Sequence, residues 1–131
     1  MAGQARQTTD RNPRLLAQEL FAAGTVVLAH DGAPLDQGEG PRLIYANRAA
    51  LTLWRRPWAS MVGLPSSLTA EPGQRASRQQ ALASARVRQA ITSYSGIRID
   101  SSGRRFRIHA ARIWPMAAGQ AACFDDWCWL L

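Results

Sequence analysis

The groups able to do chemistry in this sequence are two histidines, two cysteines, nine carboxylates and sixteen arginines, and their spacing argues against catalysis. His30 and His109 stand far apart and lack the further ligands at short spacing that a metal site uses. They read as polar side chains at strand ends or on the surface. The carboxylates are scattered, with no pair whose surroundings would separate an acid from a base role. Phosphate-loop, nucleophile-elbow and HExxH patterns are absent. Gly38-Glu39-Gly40-Pro41 matches a dinucleotide loop only in part, lacking the third glycine and a helix behind it, and reads as a plain loop. The expectation is a chain that is not an enzyme, with no catalytic residue and no metal ligand.

Cys123 and Cys128 lie five residues apart, which on one strand is about 16 Å and too far for a disulfide. Free thiols fit a reducing compartment. No run of 18 apolar residues occurs, and the first residues lack the apolar segment of a secretory signal. The expected location is the cytoplasm, with no membrane partner.

The net charge of +7 comes from arginine alone, for the sequence has no lysine. The arginines are spread through nearly every segment, in a chain also rich in Ala, Gly and Pro, so coding bias accounts for them as well as phosphate binding does. Clustering matters more than net charge, and this spread argues against a nucleic-acid partner. Arg98, Arg105, Arg107 and Arg112 fall on adjacent strand candidates. There they have three readings: binding an anionic ligand, pairing with Asp125 and Asp126, or facing solvent, the last two being the commoner outcomes.

These residues need a scaffold, and 131 residues with 47% hydrophobic content suffice for one domain. Residues 1–11 are polar and aperiodic and read as a mobile tail, leaving 12–131 as the domain. Asn12 and Pro13 are helix-start signals, Leu15, Leu16, Leu20 and Phe21 form an apolar stripe, and Gly24 ends the helix. Thr25 to Ala29 is a β-branched run closed by Asp31-Gly32, and Ala33 to Arg42 is a Gly/Pro-rich loop. Leu43 to Ala46 is a second strand. Asn47 then caps a short helix through Leu53 and Trp54, and Pro57 starts another that ends at Gly63.

A longer helix spans Arg75 to Ile91, with Ala76, Ala83, Val87 and Ala90 on one side, Arg75, Arg78 and Arg86 a quarter turn away, and Leu82 unplaced among the arginines. Three strands close the chain, over 92–100, 104–116 and 120–130, joined by short turns as a meander. In the middle strand Phe106, Ile108 and Ala110 share one face, and beyond Ala111 the apolar parity shifts to Ile113, which suggests a bulge or a strand end covered on both faces.

Two strands, short helices, one longer helix and a three-strand meander is an order similar to that of the PAS fold. Five segments sharpen the likeness: Asn47-Arg-Ala-Ala-Leu-Thr-Leu-Trp54, Ser67-Leu-Thr-Ala-Glu-Pro72, Tyr94-Ser-Gly-Ile-Arg98, Ser101-Ser-Gly-Arg-Arg-Phe-Arg-Ile108 and Gly119-Gln-Ala-Ala-Cys-Phe-Asp-Asp-Trp127. Together they resemble the MEKHLA domain family, a PAS-related domain of stand-alone bacterial proteins and of plant class III homeodomain-leucine zipper factors. The likeness covers roughly Phe21 to Leu130. The family's namesake string is absent, and without a preceding DNA-binding segment a direct transcription role does not carry over. The resemblance implies an α+β fold: a five-stranded antiparallel sheet with helices packed on one face, plus the N-terminal helix.

The resemblance also implies a sensing or signalling module, and its cofactor options are testable on residues. A LOV-type flavin site needs a cysteine among the short helices, and none lies between Asn47 and Ile91. A haem sensor commonly takes a histidine from the long helix, which has none. Haem and flavin are therefore disfavoured, and the cofactor is left unassigned. Tyr45, Trp54, Trp58, Phe106, Ile108, Trp114 and Phe124 could line an apolar pocket, with Asn47 as a polar group, for a small apolar or anionic ligand. Equally, the aromatics fill the core and Asn47 is only a cap. A pure protein-interaction module with a filled core is the alternative function, and a cavity above roughly 300 Å³ would separate the two. The stripe of Leu15, Leu16, Leu20 and Phe21 points to a homodimer. With no output segment in the chain, any signal passes to a separate partner protein.

Overall fold

Asn12 accepts a hydrogen bond from the backbone N–H of Arg14 at 2.8 Å, and Pro13 occupies the first turn of helix α1 (Pro13–Ala22). Both features are set by residue type, since the proline needs no N–H donor there and the asparagine supplies an acceptor. The structure is a computed structural model that describes residues 12–70, 72–88 and 91–131. The expected tail over 1–11 lies outside the described residues.

The chain then runs β1 (Val26–Asp31), β2 (Leu43–Ala46), α2 (Arg48–Trp54), α3 (Trp58–Met61), two 3-10 turns (Ser66–Thr69 and Pro72–Gln74), α4 (Arg75–Arg88), β3 (Ile91–Ile99), β4 (Arg105–Met116), β5 (Gly119–Phe124) and β6 (Asp126–Trp129). The sheet is antiparallel in the order β2-β1-β5-β4-β3, and β6 pairs with β4 off this path. The α+β architecture expected from the element order is the one observed, with a sixth strand in addition.

The sixth strand arises because the last expected strand divides at Asp125. Residues of β5 pair with both β1 and β4, but the β1 ladder stops at Val26 opposite Phe124, so the chain beyond has β4 alone as a partner. Thr25 donates its hydroxyl to Asp125 Oδ1 at 2.6 Å and marks the division. On β4 the corresponding irregularity is Ala110, whose φ of +51° is in the left-handed region. The bulge therefore falls one residue earlier than the parity suggested. Phe106 and Ile108 face the core before it, Ala111 and Ile113 after it, and Ala110 is exposed instead of sharing their face.

The core sits between the sheet and the helices. Trp54 is fully buried, with its ring edge-on to Phe106 at 5.1 Å and to Phe124 at 6.2 Å. Asn47 is also fully buried. Its Oδ1 accepts from the N–H groups of Ala50 and Val27, and its Nδ2 donates to the carbonyls of Leu20 and Thr25. One side chain thus caps α2 and ties it to β1 and to the end of α1.

Helix α4 turns a different face inward from the one its alanines suggested. Ala76 and Ala83 are exposed, whereas Leu82 and Arg78 are buried; Arg86, Val87 and Ala90 lie outside the described side chains. Burying a leucine removes more apolar surface from water than burying alanines does, so Leu82 sets the rotation. Arg78, four residues earlier and about 40° away around the helix, is carried inward with it.

Candidate functional site

Arg75 fixes where α4 begins, because its Nε donates to the carbonyls of Ser67 and Ala70 at 3.1 and 3.0 Å. From that anchor the helix lies over the sheet and encloses a cavity of about 50 Å³. Its walls combine apolar groups such as Trp54, Leu82 and Phe124 with the polar side chains of Arg78, Arg98, Tyr94 and Gln120.

Strand period places Tyr94, Gly96 and Arg98 on one face of β3. Arg98 donates through Nη2 to Tyr94 Oη at 3.0 Å and through Nη1 to the Ile97 carbonyl at 3.0 Å, with its guanidinium 5.3 Å from the centre of the tyrosine ring. Gly96 leaves the room for this: a Cβ there would stand 2.6 Å from Tyr94 Oη. Opposite, Arg78 donates through Nη2 to Ser66 Oγ at 2.7 Å. Arg78 and Arg98 are only 8% and 6% exposed, and among the described residues neither forms an ion pair with a carboxylate. Burial, with repulsion from Arg98 second, pushes the Arg78 guanidinium down to about 9, and Tyr94 works the other way. Gln120 donates through Nε2 to the Leu82 carbonyl at 2.9 Å, while its buried Oε1 has no donor among the described residues.

Comparison with known proteins decides the family. The profile of the MEKHLA domain matches residues 3–129. The chain belongs to the MEKHLA domain family. Among solved structures, this MEKHLA domain is similar to the PAS domain of a protein from Colwellia psychrerythraea, with a TM-score of 0.72 at 16% identity over 86% of this chain and 94% of that one. An RNA-binding light-oxygen-voltage receptor gives 0.67 at 16% identity, over 86% of this chain and 32% of the receptor. The LOV domain of a blue-light-activated histidine kinase from Erythrobacter litoralis gives 0.58 at 16% identity, over 80% and 94% of the two chains. At such identities these likenesses establish the PAS-like fold and nothing finer. No protein of curated function matches.

The MEKHLA domain distributes the expected pocket residues over three places. Trp54, Ile108 and Phe124 line the cavity. Phe106 packs behind it among Trp54, Trp127 and Trp129, and Asn47 spends its whole hydrogen-bonding capacity on backbone. Tyr45 and Trp114 lie on the opposite side of the sheet in a shallow groove that Leu20, Ile44 and Met116 also line. Trp58 is exposed, 5.9 Å from the Tyr45 ring and 6.3 Å from Phe21. Of the stripe on α1, Leu15, Leu16 and Leu20 are exposed and Phe21 is half-buried.

Arg78, Tyr94 and Gln120 were not among the expected pocket residues, and Arg98 was read as a strand arginine that could bind an anion, pair with Asp125 and Asp126 or face solvent. The signals for them were Leu82 four residues after Arg78 and the Tyr94-x-Gly96-x-Arg98 spacing. At about 50 Å³ the cavity does not fit a flavin or haem, which need a pocket of roughly 300 Å³ or more. His109 and Cys128 lie 3.9 Å apart on β4 and β6, but among the described residues no three His, Cys, Asp or Glu side chains converge. No helix among the described residues is long and apolar enough to cross a membrane.

Proposed function

We propose that this MEKHLA domain is a non-catalytic cytoplasmic signalling module in which α4 closes a ligand of a few heavy atoms against the sheet and the change is passed to a separate protein. At about 50 Å³ the cavity falls short of the roughly 300 Å³ expected to mark ligand sensing, so what supports the reading is its polar lining and not its volume. A core built only for stability would fill this space with apolar groups, because burying polar ones without full partners is costly. Here five large polar side chains, His30, Arg78, Tyr94, Arg98 and Gln120, from β1, α4, β3 and β5, line one small space. Its size points to a small metabolite in place of a prosthetic group. Native mass spectrometry of the purified protein, with an absorption spectrum, tests the reading. The expected result is a colourless protein carrying, or taking up from a metabolite mixture, a small adduct, and a species that stays at chain mass throughout would count against it.

A second reading, an interaction module that associates with itself, is favoured by a different observation. The groove of about 560 Å³ on the outer sheet face is mostly apolar, and Leu20 joins it to the exposed Leu15 and Leu16 of α1. A second copy placing its own α1 stripe on this face would cover both.

A further inference from the structure

Two buried guanidinium groups share one small cavity, and no carboxylate among the described residues neutralises them. An unpaired buried charge is among the most unfavourable arrangements in a protein interior, and two of one sign are worse. Among the described residues Arg78 has one side-chain partner, the Ser66 hydroxyl, and Arg98 has the Tyr94 hydroxyl and a carbonyl. Each fork keeps N–H donors beyond these. Because an arginine holds its proton at neutral pH, the electrostatic stress between them cannot be relieved by deprotonation. It can be relieved by an anion.

The geometry points to a small, planar oxyanion as the ligand of this cavity, held between Arg78 and Arg98. Small size follows from volume, since a cavity of about 50 Å³ lies well below the roughly 300 Å³ at which pockets for drug-sized ligands begin. The shape follows from the guanidinium, whose planar fork matches a carboxylate-like group through paired hydrogen bonds. The rest of the wall joins apolar groups such as Leu82, Trp54 and Phe124 to the polar side chains of His30, Ser66, Thr69 and Gln120. The inference rests on the ligand-sensing reading above and narrows it to a chemical class.

The test is thermal melting and calorimetric titration of the full chain with sodium formate, acetate, bicarbonate and nitrate, at constant ionic strength against chloride and sulfate. At least one planar oxyanion is expected to raise the melting temperature saturably, with no comparable effect of chloride or sulfate. Which of the four does so separates a carboxylate from bicarbonate or nitrate. Arg98→Met is expected to weaken that binding at least tenfold, while melting no lower than the wild type without anion, because an unmatched buried charge has been removed. Should that variant fail to fold, Arg98→Lys serves, since lysine keeps the charge and lacks the fork; it too is expected to lose at least tenfold. No saturable response to any of the four, or an equal response in the arginine variants, overturns the proposal. A neutral molecule bound in native mass spectra overturns the oxyanion and leaves ligand sensing standing, whereas an anion-insensitive protein that stays at chain mass overturns both.

Discussion

Arg98 and Tyr94 meet side by side on β3, guanidinium Nη2 to phenol Oη at 3.0 Å, over a glycine that has no side chain to separate them. The pair turns one strand face into a polar wall of the cavity. It also orients the charge of Arg98 inward, where a longer residue at position 96 would push it aside.

Replacing Gly96 with alanine is therefore expected to push the ends of the Tyr94 and Arg98 side chains apart, at a cost that their swinging away keeps to the low end of the overpacking range. The added Cβ would stand 2.6 Å from Tyr94 Oη and 3.1 Å from Arg98 Nη1. Overpacking of this kind costs about 1–3 kcal/mol. Chemical denaturation of Gly96→Ala checks the figure, and Gly96→Ala combined with Tyr94→Phe should recover part of the loss.

Asn47 is expected to matter for stability more than any other polar residue in the helical layer. Asn47→Asp keeps the acceptor for Ala50 and Val27 but removes the donor to the Leu20 and Thr25 carbonyls. Leaving buried partners unmatched costs about 1–3 kcal/mol, more with a charge present. Hydrogen exchange should show α1 opening first, since its end is held through the Leu20 carbonyl; unchanged protection there would contradict this role.

Acid stability should carry the signature of Asp100. Burial raises its carboxyl, but the Ser102 hydroxyl, the backbone N–H groups of Arg104 and Ser102 and the charge of Arg55 outweigh it, and the net direction is downward. A carboxylate lowered in the fold adds stability above its unfolded value of about 4 and loses it as pH falls through the folded value. Melting temperatures between pH 5 and 2 are expected to fall less steeply for Asp100→Asn than for wild type. At pH 7 the variant should be less stable by about 1–2 kcal/mol, since the charge-assisted bonds closing the β3–β4 turn are weakened.

Self-association should depend on the apolar stripe of α1. Leu15, Leu16 and Leu20 are 46%, 41% and 45% exposed, and the helix has no buried residue. Light scattering is expected to show a dimer that Leu16→Glu converts to monomer without loss of folding. A wild-type monomer at high concentration would end the homodimer reading.

The sequence by itself determined the order of elements, the helix caps and turns, and the family. Asn12, Asn47, Pro13 and the Asp100-Ser-Ser-Gly103 turn act on backbone groups within a few residues, so their effect is legible without knowing what packs above them. The family was legible for a related reason, since two of its segments carry the Asn47 cap and the Ser101-Ser-Gly103 turn. Only the tertiary structure decided the rest. The rotation of α4 was settled by where Leu82 found apolar surface, and Arg78 was carried inward by that choice. The last strand divided because β1 begins at Val26 and offers nothing beyond Phe124. The aromatics were assigned to cavity, core or outer groove by which side of a twisted, bulged sheet each one met, a property of the assembled sheet and not of any residue's type. The same holds for the Arg98–Tyr94 pair: the spacing was in the sequence, but only the closure of α4 over β3 made it the wall of a cavity.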